Sequence, residues 1–409
     1  MRKGWQTVKL GEVCKFQGGS QPPKSKFIDT PEEGYIRLLQ IRDFKSDKRA
    51  VYIPEAKKNR TCIETDIMIG RYGASVGQIH RGKAGAYNVA LIRTSPNENV
   101  IYKNYFYYFL ISSWFQNPLM NVAQRSAQAG FSKDDIHDFQ IPLPPLPEQE
   151  RIVSILDKAF EGIDQAIAQT EQNLASAREL FESYLNNLFT QKGEDWVETT
   201  VKDLVEDGLL EKPLDGNHGE IHPKKADFVD EGIPFIMASD LQKGEVNQLD
   251  CNHIKKEQAE TLRKGFSKQD DVLMSHKGTI GRVAILNTAH DYIVLTPQVT
   301  YYRITQPERL YNRFVYYYFQ SPLFQRYIKY AAGAGSTRAY IGITKQLDLP
   351  MAYPSLARQK EIVGILDLAS GTSQQLEALY TQKLNDLKEL KQSLLQQAFA
   401  GELTKEDAA

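Results

Sequence analysis

The sequence repeats itself once along its length, and this constrains its fold more than any other property. Gln149-Glu150-Arg151-Ile152-Val153-Ser154-Ile155-Leu156-Asp157 returns as Gln359-Lys360-Glu361-Ile362-Val363-Gly364-Ile365-Leu366-Asp367, at a constant offset of 210 residues. Both copies follow a proline-rich strap, Pro142 to Pro147 and Pro350 to Pro354. Upstream, Tyr102, Tyr107, Tyr108, Phe115 and Gln116 recur as Tyr311, Tyr316, Tyr317, Phe324 and Gln325. Trp5 and Trp196 open the two halves. Solenoid units run to roughly 20–50 residues, so this repeat reads instead as a duplicated domain followed by a duplicated helix. Such a chain presents two similar but non-identical surfaces.

A length of 409 residues suggests two or three domains. With 41% hydrophobic and 25% charged residues, the chain is expected to fold as an ordinary globular protein. No apolar run approaches the ~18–20 residues of a membrane span. The start, Met1-Arg2-Lys3-Gly4-Trp5-Gln6, lacks the apolar region of a secretory signal. Cys14, Cys62 and Cys251 are far apart and lack CxxC spacing, so neither a disulfide framework nor a zinc site is expected. Together these point to a reducing cytoplasm, with no membrane contact.

The formal net charge of −1 conceals local imbalance. From Arg37 to Lys83 there are eleven Lys/Arg against five Asp/Glu, and from Arg309 to Lys345 six basic residues and no acidic ones. From Glu148 to Glu182 eight acidic residues face three basic ones. Solvated faces would account for any one window. Basic surplus in both repeats, beside an acidic connector, favours two surfaces that meet nucleic acid.

Each half reads as a strand-rich mixed domain and then a long helix. Tyr35 to Ile41, Asp66 to Tyr72 and Val89 to Arg93 suggest strands in the first half; Pro234 to Ala238, Asp271 to Ser275 and Gln298 to Ile304 do so in the second. Aromatic helices follow, Tyr102 to Trp114 and Tyr311 to Phe319, whose spacing favours core packing over base stacking. The straps read as stiff exits, because proline fixes φ and extends the residue before it. The first long helix is expected from Glu148 to about Thr190, with a seam at Ile163, Ile167, Thr170, Leu174, Ala177, Phe181, Tyr184 and Leu188 stepping alternately by 4 and 3. The second is expected from about Arg358 to Ala400, with Leu376, Tyr380, Leu384, Leu387, Leu394 and Ala398 on its stripe and Lys391 interrupting it. One-sided seams need partners, and two-fold exchange of the domains requires the helices to run antiparallel. The expected fold class is therefore α+β: two pseudo-symmetric mixed α/β domains separated by two long helices that form an antiparallel coiled coil.

Catalytic motifs are missing. There is no GxxxxGK[ST] loop and no Asn/Asp-Pro-Pro-Tyr/Phe tetrapeptide of amino-methyltransferases. His218 and His222 have helical metal-ligand spacing, but Gly219 and Pro223 argue for a loop. Asp43, Glu55 and Lys57 could be drawn together as a nuclease set, yet nothing similar occurs in the other half.

The full pattern resembles the specificity subunit of type I restriction-modification enzymes across essentially the whole chain. The pieces that carry the likeness are Ile141-Pro142-Leu143-Pro144-Pro145-Leu146-Pro147-Glu148-Gln149-Glu150-Arg151-Ile152 and the ending from Leu387 to Thr404, echoed by Leu185 to Thr190. The second strap departs from the pattern, with Met351-Ala352-Tyr353-Pro354-Ser355-Leu356-Ala357. The resemblance implies target-recognition domains at 1–146 and 193–354, long helices at 147–192 and 355–401, and a tail at 402–409. Each domain would read one half of a bipartite double-stranded DNA target, and the helices would set the spacer. Two methyltransferase subunits would dock and modify adenine N6 with S-adenosylmethionine. In systems that also cut, two restriction subunits would join, using ATP and magnesium. The chain itself would be non-catalytic and hold no cofactor.

Phosphates favour Lys and Arg, and base edges favour Arg, Lys, Asn, Gln and Ser. On that chemistry the expected DNA contacts in the first domain are Gln17, Ser20, Lys24, Arg37, Arg42, Arg71, Tyr72, Gln124, Arg125 and Gln128. In the second they are Lys224, Lys225, His276, Lys277, Ser336, Thr337, Arg338 and Tyr340. The alternatives are a two-module DNA-binding or adaptor protein that works without methyltransferase partners, and a fused methyltransferase or nuclease.

Overall fold

A computed structural model describes residues 4–124, 130–333 and 340–405. They form two compact units: Met1–Glu171 joined by Thr381–Ala409, and Gln172–Tyr380. The architecture is α+β. The first unit contains two four-stranded sheets, and the second a six-stranded and a five-stranded sheet. Parallel pairs stand among antiparallel neighbours in both units: Tyr35–Leu39 beside Gly85–Tyr87 in the first, and Ile233–Ile236 beside Ile293–Leu295 and Glu245–Val246 beside Val283–Ile285 in the second.

The straps are more than stiff exits, because their first residues are strands. Gln140–Leu143 pairs antiparallel with the opening strand Gln6–Lys9, placing Thr7 opposite Pro142. Pro350–Tyr353 pairs in the same way with Val197–Thr200. Proline is tolerated because each ribbon has only two strands, so one side of the strap carries no ladder. The echo at the start of each half and the echo at its strap are thus two sides of one ribbon.

The aromatic helices pack as cores, but each is a bent pair rather than a single rod. Lys103–Ile111 is followed by Ser113–Ala123, and Asn312–Gln320 by Pro322–Ala331. At each bend a buried serine hydroxyl turns back to a helix carbonyl: Ser112 donates to Phe109 (2.7 Å) and Ser321 to Tyr318 (2.6 Å).

The long helices span Leu146–Thr190 and Leu356–Ala400, 45 residues each, or ~68 Å at 1.5 Å per residue. In the first unit Glu148 meets Thr404 and Asp164 meets Lys391. In the second, Leu185 and Phe189 share a core with Ile362, Val363 and Leu366, while Ser373 donates to the carbonyl of Ala177. In both units the partner number falls as the first helix's number rises, so the pairing is antiparallel. Lys391 does not weaken its stripe: it pairs with Asp164 and stands 4.6 Å from the ring centre of Phe160.

The expected seam holds through Phe181 and then shifts. Tyr184 is 38% exposed, while Leu185 and Phe189 are buried. The end of this helix packs into a domain core rather than along a helix, so the apolar positions step by four. Phe189 packs on Phe314 and Tyr318 at 5.5 and 5.4 Å between ring centres. Its repeat counterpart Phe399 packs on Tyr105 and Phe109 at 5.1 and 5.5 Å. The first helix thus starts on the first unit's domain and ends in the core of the second unit, and the second helix does the reverse.

Gln149 and Gln359 fasten each domain to its helix. Both are fully buried. Gln149 donates to the carbonyls of Pro144 and Val100 and accepts from the N–H of Tyr102. Gln359 donates to Pro354 and Arg309 and accepts from Tyr311. A second fastening joins the Tyr108 hydroxyl to Asp157 and the Tyr317 hydroxyl to Asp367.

Candidate nucleic-acid interface

In each unit a central strand ends in a glycine turn that displays side chains. Met68–Gly70 leads to Arg71-Tyr72-Gly73, and Val272–Ser275 leads to His276-Lys277-Gly278. Gly73 and Gly278 have φ of 55° and 78°, a region that disfavours side chains, so the sharp turn requires glycine there. The far side of each turn is held by a repeated glutamine: Gln116 donates to the Gly77 carbonyl and Gln325 to that of Gly281, both at 2.9 Å.

The chain returns to this turn at equivalent places. Tyr72 forms a β-bridge with Gly130, and Lys277 forms one with Tyr340. A Cβ on Gly130 would stand 2.8 Å from the Tyr72 ring, so the aromatic side chain occupies the space a side chain at 130 would need. The Arg71 Nε–H donates to the Phe131 carbonyl (2.6 Å), and His276 Nδ1 bonds the Ile341 carbonyl (2.9 Å). Residues 71 and 276 therefore perform one task, holding the returning strand.

This separates the expected contacts. Arg71 stays half-buried with its guanidinium 4.9 Å from the Tyr72 ring centre, and Tyr72 is 42% exposed. Gln124 is exposed at the C-terminal end of the helix Ser113–Ala123. In the second unit Lys277 is exposed, and Tyr340 is 45% exposed. His276 is a correction: it is fully buried and touches no solvent, so it positions the strand and cannot meet a base edge. Burial pushes its pKa below the ordinary imidazole value, against the Ile341 carbonyl and Asp215. Its Nε2 is buried without a hydrogen-bond partner, 3.9 Å from Asp215. Burial also pushes the Asp215 carboxyl up, but the bonds from Lys264 and His218 outweigh it, and the net shift is downward.

Arg125, Gln128, Ser336, Thr337 and Arg338 lie outside the described residues. The remaining contacts stand apart from the two turns or are engaged. Gln17 is half-buried and accepts from the Tyr87 hydroxyl (3.2 Å); the backbone N–H of Ser20 bonds the Tyr87 carbonyl. Lys24, Lys224 and Lys225 are exposed on short helical turns. Arg42 is exposed and donates to the Arg49 carbonyl. Arg37 is bound to Asp47 at 2.5 Å; the hydrogen bond from Lys83, and after it that from Arg37, hold the Asp47 carboxyl down at about 2. Asp43 is buried and caps a turn through the Gln40 N–H (2.6 Å), and His218 bonds Asp215 (2.7 Å). Asp43 and His218 are thus engaged in holding the fold. Among the described residues no group of three His, Cys, Asp or Glu is placed to hold a metal, and no helix is long and apolar enough to cross a membrane.

The sequence reading passed over one surface. Arg326, Tyr327, Lys329 and Tyr330 are all exposed on the helix Pro322–Ala331. Their spacing of one, three and four residues was visible in the sequence, but the expected aromatic helix ended at Phe319 and left them outside it.

The profile described as "Type I restriction modification DNA specificity domain" matches residues 2–174 and again 193–388. The chain belongs to this family. It is 24% identical to the Type I restriction enzyme EcoBI specificity subunit of Escherichia coli, over 98% of this chain and 86% of that one. It is 21% identical to the MjaVIII specificity subunit of Methanocaldococcus jannaschii, over 87% and 84%. Two solved structures share the fold. One is a chain from a structural study of complex assembly and conformational transition in the type I R-M system, with TM-score 0.78, 18% identity and coverage of 98% and 99%. The other is the HsdS subunit from Thermoanaerobacter tengcongensis, with TM-score 0.54, 16% identity and 98% coverage of both chains. The role that defines this family is DNA specificity, and the chain is a non-catalytic specificity subunit with two specificity domains.

Proposed function

We propose that this specificity subunit reads a bipartite double-stranded DNA target, one half with residues 1–146 and the other with residues 193–354. The long helices at 147–192 and 355–401, with the tail at 402–409, fix the spacer and form the scaffold on which adenine-N6 methyltransferase subunits dock. Those subunits supply S-adenosylmethionine; restriction subunits, where present, bring ATP and magnesium. The complex works on DNA in the cytoplasm. One observation carries this reading: both domains display, at the same β-bridge, side chains that do not repeat, on a framework of side chains that do. A repeated framework with differing tips suits two readers of different half-sites.

Arg71, Tyr72, Gln124, Arg125 and Gln128 are the proposed centre of the first reader. Lys277, Ser336, Thr337, Arg338 and Tyr340 are that of the second. Gln17, Ser20, Lys24, Arg42, Lys224 and Lys225 would contact DNA outside these centres, and Arg37 would act through its ion pair. The test is the adenine methylome of the host with and without this gene. The expected result is one split motif that vanishes on deletion. A motif that is continuous, or that survives deletion, would contradict the reading.

A further inference from the structure

The two units differ on the helix that precedes the returning residue of each bridge, Gly130 in the first and Tyr340 in the second. In the second unit, Phe324 and Ile328 face the core of the helix Pro322–Ala331. At 100° per residue, Arg326, Tyr327, Lys329 and Tyr330 form one continuous strip on the opposite side. Tyr330 is 85% and Tyr327 41% exposed. Among the described residues neither Arg326 nor Lys329 has an ion-pair partner, whereas Arg313 is bound to Asp367 and Lys345 reaches the Ala331 carbonyl. No Asp or Glu occurs between Glu308 and Asp348, so the strip's neighbours in sequence do not offset its charge. In the first unit, the corresponding positions carry Asn117, Pro118, Met120 and Asn121, none of them charged.

We infer that this cation–tyrosine strip is a second DNA contact, which grips the phosphate backbone beside the half-site read by residues 193–354. It rests on the reading of the chain as a DNA specificity subunit. Two unpaired cations and two phenol hydroxyls on one face suit a row of phosphate oxygens, which accept from Arg, Lys and Tyr. The same helix holds the far side of the Lys277 turn through Gln325 on the Gly281 carbonyl, so DNA held at that turn would continue across the strip. The corresponding positions of the first domain carry no charge, so this contact belongs to the second domain.

Phosphate contacts are independent of sequence, so a 40-base-pair duplex of random sequence serves as the probe. The affinity of the full-length chain is measured as a function of salt concentration, for wild type, Arg326→Gln/Lys329→Gln, and Lys383→Gln/Lys388→Gln. The last pair removes the same charge from exposed positions on the second long helix. Each phosphate contact contributes about 0.9 to the slope of log affinity against log salt, so the Arg326/Lys329 variant is expected to lose roughly 2 in slope. The helix control should keep the wild-type slope. Tyr330→Phe should bind more weakly at every salt concentration with its slope unchanged. Unchanged thermal unfolding identifies the variants as folded. If wild type binds the duplex and the Arg326/Lys329 variant keeps its slope, or the control loses as much, the strip is not a DNA contact while the proposed function stands. If the wild-type chain binds no duplex, the strip is not a DNA contact, and the proposed function is decided separately by the methylome.

Discussion

At the scale of single residues, the repeat and the reading surface are complementary sets. The side chains that recur at fixed offsets are fasteners: Gln149 and Gln359 on three backbone groups each, Gln116 and Gln325 on the glycine turns, Tyr108 and Tyr317 on their aspartates. The side chains on display have changed between copies: Tyr72 against Lys277, and Gly130 against Tyr340. The sequence therefore made the framework legible, because geometry demands the same residue twice. It left the readers obscure, because nothing in composition separates a displayed Lys277 from its buried neighbour His276. Gln149→Ala would strand buried backbone groups, each costing roughly 1–3 kcal/mol when unpaired. Urea denaturation of this variant should show the first unit destabilised by at least that much; an unchanged midpoint would mean the fastening is dispensable. His276 supplies a pH test. Its folded pKa lies below the unfolded value of 6.5, so below pH 6.5 the unfolded chain takes up a proton that the folded chain resists. It therefore contributes stability above pH 6.5 that is lost as pH falls through that value toward the lower folded pKa. Asn at this position can still donate to the Ile341 carbonyl but does not titrate. The stability difference between about pH 7.5 and about 5.5 should shrink in His276→Asn, and the same pH dependence in both proteins would refute this assignment.

At the scale of elements, the long helices complete the domains as well as connect them. The heptad seam was legible from Ile163 to Phe181, since it reports one helix lying on another. It failed at Tyr184 because the helix there enters a domain core, and periodicity does not reveal which surface an apolar stripe will meet. The straps were read as exits for a related reason: proline announces extended backbone, but the strand it pairs with lies about 135 residues earlier. Phe189 and Phe399 have no exposed surface. Truncating a buried phenylalanine to alanine costs about 3–5 kcal/mol. Phe399→Ala should therefore weaken the unit that contains Tyr105 and Phe109, while Phe189→Ala weakens the one that contains Phe314 and Tyr318. Hydrogen exchange resolved by peptide can distinguish them. Accelerated exchange in the same unit for both variants would contradict the exchange of helix ends.

At the scale of the whole molecule, one chain holds two specificity domains, and its family gives them a common purpose. The central claim is that each domain reads its own half of the target while the helices keep the halves apart. Its most direct test is a chain in which residues 193–354 are replaced by a second copy of 1–146, expressed with its methyltransferase partners in a host lacking other adenine methylation. The methylome of that host reports both half-sites and the spacer at once. The account predicts that both halves of the motif become the first domain's half-site and that the spacer keeps its original length. A motif that retains the second half-site would show that reading is not partitioned between the domains.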